Sequence, residues 1–210
     1  PKRLRAEMAL KCGASAVFEL PVCYATGSAE YFALGAVSLL ESLGAVDCIC
    51  FGSECNDLDA LSHVADILGR EPRDYRTLLK NNLKKGSSFP AARQSAVLEY
   101  TENPAYASLL NDPNNILGIE YLKAMKKLNS SMVPFTIRRK GSHYHDQSLD
   151  SGNFSSASAI RSLLAYSGSA IRTEQMGGSF ENTSFSSILG ELEEQVPFSC
   201  LELLKDYHRV

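Results

Sequence analysis

The sequence predicts an α/β fold: a Rossmann-like open parallel sheet, incomplete at its N-terminus, with a helical insertion and a C-terminal helical extension. Three observations predict it. Helix-period and strand-like runs alternate through residues 5–70, strand signals vanish from about 71 to 111, and the alternation resumes at 112. These shifts divide the chain into 1–70 and 112–166 as two parts of one nucleotide-binding domain, 71–111 as a basic insertion, and 167–210 as a loop and helical extension.

Arg5 to Cys12 is helical and stops at Gly13; Ala14 to Pro21 reads as a short strand ended by proline. Phe32, Ala36, Leu39, Leu40 and Leu43 recur at helical spacing and end at Gly44, the residue type expected just past a helix. Val46 to Phe51 follows as a buried strand running into Gly52-Ser53-Glu54, and Leu58, Leu61, Ala65 and Leu68 form the next helix face. Helices then continue through a basic stretch broken only at Gly86–Pro90 and Asn103-Pro104. Asp112-Pro113 supplies an N-cap and a first-turn proline for a helix striped with Leu117, Tyr121, Ala124 and Leu128. Met132 to Ile137 is the next strand, and 138–141 is the loop at its carboxyl end. Further on, the serines at 155, 156 and 158 precede a helix whose apolar stripe is Ile160, Leu163 and Leu164. Tyr166 to Ser187 is a Gly-, Ser- and Asn-rich connection, and one acidic helix spans Leu189 to Tyr207.

The helix, strand, helix grammar implies a sheet covered on both sides. In open parallel sheets ligands bind beyond the carboxyl ends of strands, which selects Gly52–Glu54 and residues 138–141. The serine-rich helix start at 155–158 is either a plain cap or an anion site, because free first-turn amides and the helix dipole favour both.

Composition is ordinary for a globular chain, with 44% hydrophobic and 21% charged residues. No long apolar run or secretory leader is present, so a cytoplasmic protein with no membrane partner is expected. None of the six cysteines forms a Cys-x-x-Cys pair, and the alternation of Cys48 and Cys50 is that of buried strand thiols. The loop His143-Tyr144-His145-Asp146 lacks further ligand types nearby, so no metal site is expected there. The formal net charge of -3 hides a basic middle: from Arg70 to Arg93 there are seven basic and two acidic residues. Lys123 to Lys140 adds six basic residues and no acidic one. Such stretches are either solvated helix faces or a surface for nucleic-acid phosphates.

Several separated pieces resemble one family, the bacterial tRNA(Met) cytidine acetate ligases of the nucleotidyltransferase superfamily with the His-x-Gly-His signature. They include Phe18-Glu-Leu-Pro21, Phe51-Gly-Ser-Glu54, Gly86-Ser-Ser-Phe-Pro-Ala-Ala-Arg93, Pro113-Asn-Asn-Ile-Leu-Gly118 and Ser156-Ala-Ser-Ala-Ile-Arg161, in family order over about the first 165 residues. The resemblance implies an enzyme that uses ATP, with magnesium expected alongside it, to activate acetate as acetyl-adenylate. It implies transfer of the acetyl group to the wobble cytidine of elongator tRNA(Met), with no DNA partner. Carried over by motif, the ATP-binding residues would be Gly52, Asn114 (Asn115 in the alternative register), Arg139, Lys140, Ser156 and Ser158. The candidate tRNA contacts are Lys2, Arg5, Arg76, Lys84, Lys85 and Arg93.

One departure stands out: the four histidines are His63, His143, His145 and His208, and no His-x-Gly-His occurs. In the family that turn and the first strand lie upstream of the segment matching Pro1, so the catalytic residues are unassigned. The expectation is a C-terminal portion of the ligase or a degenerate relative. The competing readings are another small-substrate adenylyltransferase of the superfamily and a non-catalytic RNA-binding relative.

Overall fold

The computed structural model describes residues 1–139, 155–164 and 185–208. In chain order the elements are α1 (Lys2–Lys11), α2 (Val22–Ala25), α3 (Ala29–Ser42), β1 (Cys48–Ser53), α4 (Leu58–Arg70), α5 (Arg73–Lys84), α6 (Phe89–Thr101) and α7 (Pro104–Ser108). A single 3-10 turn, Leu109–Asn111, leads to α8 (Pro113–Lys127) and β2 (Val133–Arg138). Then come α9 (157–164), α10 (Phe185–Leu192) and α11 (Phe198–His208). The chain forms two compact units, residues 20–139 and residues 1–19 together with those described after 139.

In the larger unit β1 and β2 pair in parallel, with Cys48 opposite Val133 and Ser53 opposite Arg138. The connection between them runs through α4 to α8, long enough for the crossover that parallel strands require. Local chemistry sets the helix limits. The Asp57 carboxylate accepts the Ala60 amide at 2.9 Å to start α4, and Glu71 in a left-handed conformation followed by Pro72 ends it. Asn103 caps α7 in the same way, through the Ala105 amide at 2.9 Å.

One face of β1 (Ile49, Phe51, Ser53) is buried, and a shared core gathers Leu61, Val64 and Leu68 of α4 with Ile119 and Leu122 of α8. Tyr75, Ala96 and Val97 belong to the same core, so α5 and α6 pack into this unit. Phe51 lies 5.7 Å from Tyr121, ring to ring. A methyl group at Gly118 would meet the Phe51 ring at 2.6 Å, so α8 approaches the strand this closely because position 118 has no side chain.

Tyr75 is 1% exposed, and its ring meets Tyr100 edge-on at 6.2 Å. Burial pushes its phenol from 10.0 up to about 12, with Arg93 opposing the shift and Glu71 adding to it. The folded state thus keeps this proton after the unfolded chain has lost it. The contribution to stability is complete below about pH 10 and is lost as pH rises toward about 12, roughly 2–3 kcal/mol in all. Urea melts of Tyr75→Phe are expected to lose less stability than the parent over that alkaline window; equal losses would refute the assignment.

The smaller unit is helical. Ile160, Leu163 and Leu164 of α9 pack with Ile188, Leu189 and Leu192 of α10 and Leu201 and Leu204 of α11. α1 rests on α11, where the Cys12 and Cys200 sulfurs lie 3.5 Å apart. Among the described residues no helix is long and apolar enough to cross a membrane.

Several expectations are corrected. Residues 14–20 form no strand, because no described strand offers them a ladder, and they are largely exposed. Cys48 and Cys50 do alternate in a strand, but on the opposite face from Ile49 and Phe51, and both are exposed. With Val133, Phe135 and Ile137 also exposed, the described sheet is covered on one side only. The expected last helix is two, α10 and α11, because Pro197 cannot donate the amide that a continuous helix needs there.

Candidate functional site

The carboxyl ends of the strands are tied together. The Arg139 amide donates to the Ser53 carbonyl at 2.9 Å, carrying the ladder one residue past the last strand pair. The Ser53 hydroxyl, fully buried, shares a hydrogen bond with Thr136 Oγ1 at 2.7 Å and accepts the Asn56 amide at 3.0 Å. Asn56 itself is left-handed at φ 53°, which turns the chain sharply after β1.

Glu54, in that turn, reaches across to the start of α8. Its Oε1 accepts Asn114 Nδ2 at 2.6 Å, and its Oε2 accepts the Asn115 amide at 2.9 Å. Asn115 replies: its Oδ1 accepts the Glu54 amide at 3.0 Å and the Cys55 amide at 3.1 Å, while its Nδ2 donates to Asp112 at 3.2 Å. A carboxylate at the positive end of a helix is favourable, so Glu54 satisfies first-turn amides that would otherwise bind an anion. Asp112, the capping residue by position, makes no capping bond to those amides. Sequence reasoning missed both roles, since no local spacing connects Glu54 to residues 60 and 61 positions away.

Beside this network lies a cleft of about 350 Å³ between β1, α3 and α8, lined by Ala36, Leu40, Phe51, Gly52, Asn114, Leu117 and Tyr121 among others. Gly52 and Asn114 therefore meet in one cleft, at the place the strand-end rule selects. A methyl group built on Gly52 finds nothing of the protein within 4 Å, so the space before it is open to a ligand. Asn115, the register alternative, is 1% exposed with both ends of its carboxamide engaged, and it serves the scaffold.

The other candidates are placed as follows. Arg139 is half-buried at the strand end, and Lys140 lies outside the described residues, as does the loop 141–146. Ser156 and Ser158 belong to the smaller unit. The Ser156 hydroxyl is buried and accepts the Ala159 amide at 3.0 Å as a cap for α9, while Ser158 Oγ accepts Arg161 Nη2 at 3.2 Å. Lys2 and Arg5 are exposed on α1, Lys2 in a solvent-facing pair with Glu19 at 2.7 Å. Arg76 and Lys84 are exposed on α5, and Lys85 just after it. Arg93 differs: its side chain is 17% exposed, and Nη1 bonds Glu120 at 3.2 Å. Glu120, 4% exposed, also takes Lys123 at 2.7 Å. Among the described residues no group of three or more metal-ligating side chains forms.

Parallel strands joined through helices, with a ligand-sized cleft at their carboxyl ends, define an open α/β protein with its cleft where such folds bind ligands. The chain belongs to the HIGH Nucleotidyl Transferase family, whose model matches residues 1–210. It is 54% identical over 164 residues to the tRNA(Met) cytidine acetate ligase of Caldanaerobacter subterraneus subsp. tengcongensis, covering 78% of this chain and 41% of that protein. It is 43% identical over 198 residues to the ligase of the same name from Clostridium perfringens (strain ATCC 13124), covering 89% and 49%. Among solved structures, apo Thermotoga maritima TmcAL matches with a TM-score of 0.82 at 36% identity, over 98% of this chain and 45% of that one. The same protein bound with alpha-thio ATP matches with a TM-score of 0.81 at 35% identity, over 99% and 44%. The chain thus spans less than half the length of each of these relatives.

Proposed function

We propose that this chain is the nucleotide- and RNA-handling portion of a tRNA(Met) cytidine acetate ligase. The observation that carries the reading is the cleft at the strand ends in which Gly52 and Asn114 meet. In the reaction an acetate oxygen attacks the α-phosphorus of ATP and diphosphate leaves. The exocyclic amine of the wobble cytidine then attacks the acyl carbon and AMP departs. Charge builds on phosphate oxygens in the first step, so positioned donors and cations matter more than a covalent nucleophile.

In this reading Gly52 lets the nucleotide approach bare backbone, and Asn114, steadied by Glu54, orients it. Arg139 and Lys140 supply positive charge beyond β2, with Ser156 and Ser158 as further nucleotide contacts. Lys2, Arg5, Arg76, Lys84 and Lys85 are offered to tRNA phosphates, together with Arg93. The carboxylates beside the cleft, Glu54 and Asp112, are engaged in holding α8, so magnesium accompanying ATP would hold chiefly to its phosphates. His-x-Gly-His does not occur in these residues, and the work assigned to them is binding and positioning.

Gly52→Ala tests the site. Because the added methyl meets no protein atom, thermal stability is expected to stay unchanged while ATP affinity, read by calorimetry, falls about tenfold or more. Unchanged ATP affinity would move the site elsewhere. The reaction is read as ATP-dependent transfer of labelled acetate to elongator tRNA(Met). Adenylylated product without tRNA would favour a small-substrate adenylyltransferase, and tRNA binding without transfer a non-catalytic relative.

A further inference from the structure

A second, larger cleft of about 1030 Å³ opens in the same unit, on the face of α8 that carries Ile116, Glu120, Lys123 and Lys127, and away from Gly52 and Asn114. Its lining carries Lys127, Glu30 and Glu71 and, besides them, two charge triads. Deep in the cleft Glu120 holds Arg93 and Lys123. Toward the rim Asp66 holds Lys126 at 2.8 Å and Arg70 at 3.7 Å. Each carboxylate neutralises one of its two cations, leaving each triad one positive charge in excess and well supplied with donors.

Arg93 Nε is buried without a hydrogen-bond partner, so the deep guanidinium is not saturated by the protein. Phe89, 57% exposed as a residue, lines the same cleft with its ring centroid 6.0 Å from the Arg93 guanidinium carbon. Exposure of a ring next to positive charge suits a ligand with both a planar face and an anionic linkage. Two donor-rich triads on one path suit more than one phosphate. A double helix presents its bases stacked inside and cannot offer one to Phe89, whereas a single strand can.

We propose that this cleft seats a short run of single-stranded RNA, with backbone phosphates at the two triads and one base stacked on Phe89. The inference rests on the reading that the chain handles an RNA substrate, and it names where on the chain a strand of that substrate lies. Lys126 and Arg70 act as rim cations that a phosphate shares with Asp66. Arg93 and Lys123 act at the inner end, and Phe89 supplies stacking that tolerates any base.

The test is fluorescence anisotropy with labelled oligouridylate and with labelled elongator tRNA(Met), on the parent chain, Phe89→Ala, and Arg70→Ala combined with Lys126→Ala. These side chains are exposed, so folding is retained, whereas Arg93 is unsuitable because its loss strands Glu120. Phe89→Ala is expected to weaken both RNAs about tenfold. The double variant is expected to weaken both and to lower the salt slope for the oligonucleotide by about 1.4. ATP affinity should not change in either. If tRNA binds and neither variant alters it, the cleft assignment fails while the ligase reading stands. Loss confined to the double variant would mark a solvated charge patch, and displacement of the oligonucleotide by AMP would mark a free-nucleotide pocket; each overturns the proposal. Failure of the parent to bind either RNA would overturn the proposal and the RNA half of the ligase reading, while leaving ATP binding by the Gly52 cleft as a separate result.

Discussion

Arg93→Ala is expected to destabilise the chain by about 3 kcal/mol, the low end of the range for breaking a buried ion pair. Glu120 is 4% exposed and depends on two cations, Arg93 at 3.2 Å and Lys123 at 2.7 Å. Removing one leaves the carboxylate with a single partner, and it also removes the guanidinium from over the Phe89 ring. The pair joins α6 to α8, so its loss should loosen the helical run from α5 to α7 against the rest of the core. Arg93→Lys is expected to recover most of the loss, since only Nη1 of the guanidinium contacts Glu120. Replacing the whole triad, Arg93→Met with Glu120→Gln and Lys123→Met, should be more stable than Arg93→Met with Glu120→Gln, because Lys123, 17% exposed, is then not left without its carboxylate. Urea midpoints at constant slope read the series; an Arg93→Ala protein as stable as the parent would show that Lys123 alone satisfies Glu120.

Punctuation made much of the fold legible. Gly44, Gly86–Pro90, Asn103-Pro104 and Asp112-Pro113 are backbone signals whose physics is local, and the helices begin or end within a few residues of each. The two strands were legible as apolar runs flanked by turns. Which face of β1 is buried was not, because Cys48 and Cys50 are as apolar as Ile49 and Phe51, and only the position of α8 decides between them. Pro197 did signal a break, but the leucines on either side share a period that bridges it, and both helices bury those leucines in one cluster. At the site, Gly52 came from the strand-end rule together with family motif, and Asn114 from motif alone. Arg93 shows the limit of charge counting: the run from Arg70 to Arg93 reads as one basic surface, yet its last member is turned inward onto Glu120, 27 residues away.

Asn115→Ala is expected to lose about 3 kcal/mol of stability and, although the residue is 1% exposed, to weaken ATP binding as well. Three bonds vanish at once. The Glu54 and Cys55 amides lose their common acceptor, and Asp112 loses a donor. Half-buried amides left without their acceptor account for most of the stability loss. The expected effect on ATP follows from geometry: the Asn115 carboxamide fixes the backbone of Glu54, whose carboxylate in turn holds Asn114 Nδ2 at 2.6 Å in the cleft proposed for the nucleotide. Asn114→Ala separates the two roles, since it should weaken ATP binding about as much while leaving stability within about 1 kcal/mol of the parent. Asn115→Asp is informative in another way. It keeps acceptors for both amides but sets a second carboxylate against Asp112 and close to Glu54, so it is expected to be least stable at neutral pH and to recover as acid neutralises the repulsion. Denaturant midpoints and ATP titrations on these three variants check the chain of positioning; an Asn115→Ala protein with parental ATP affinity would show that Asn114 holds its place without the turn after β1.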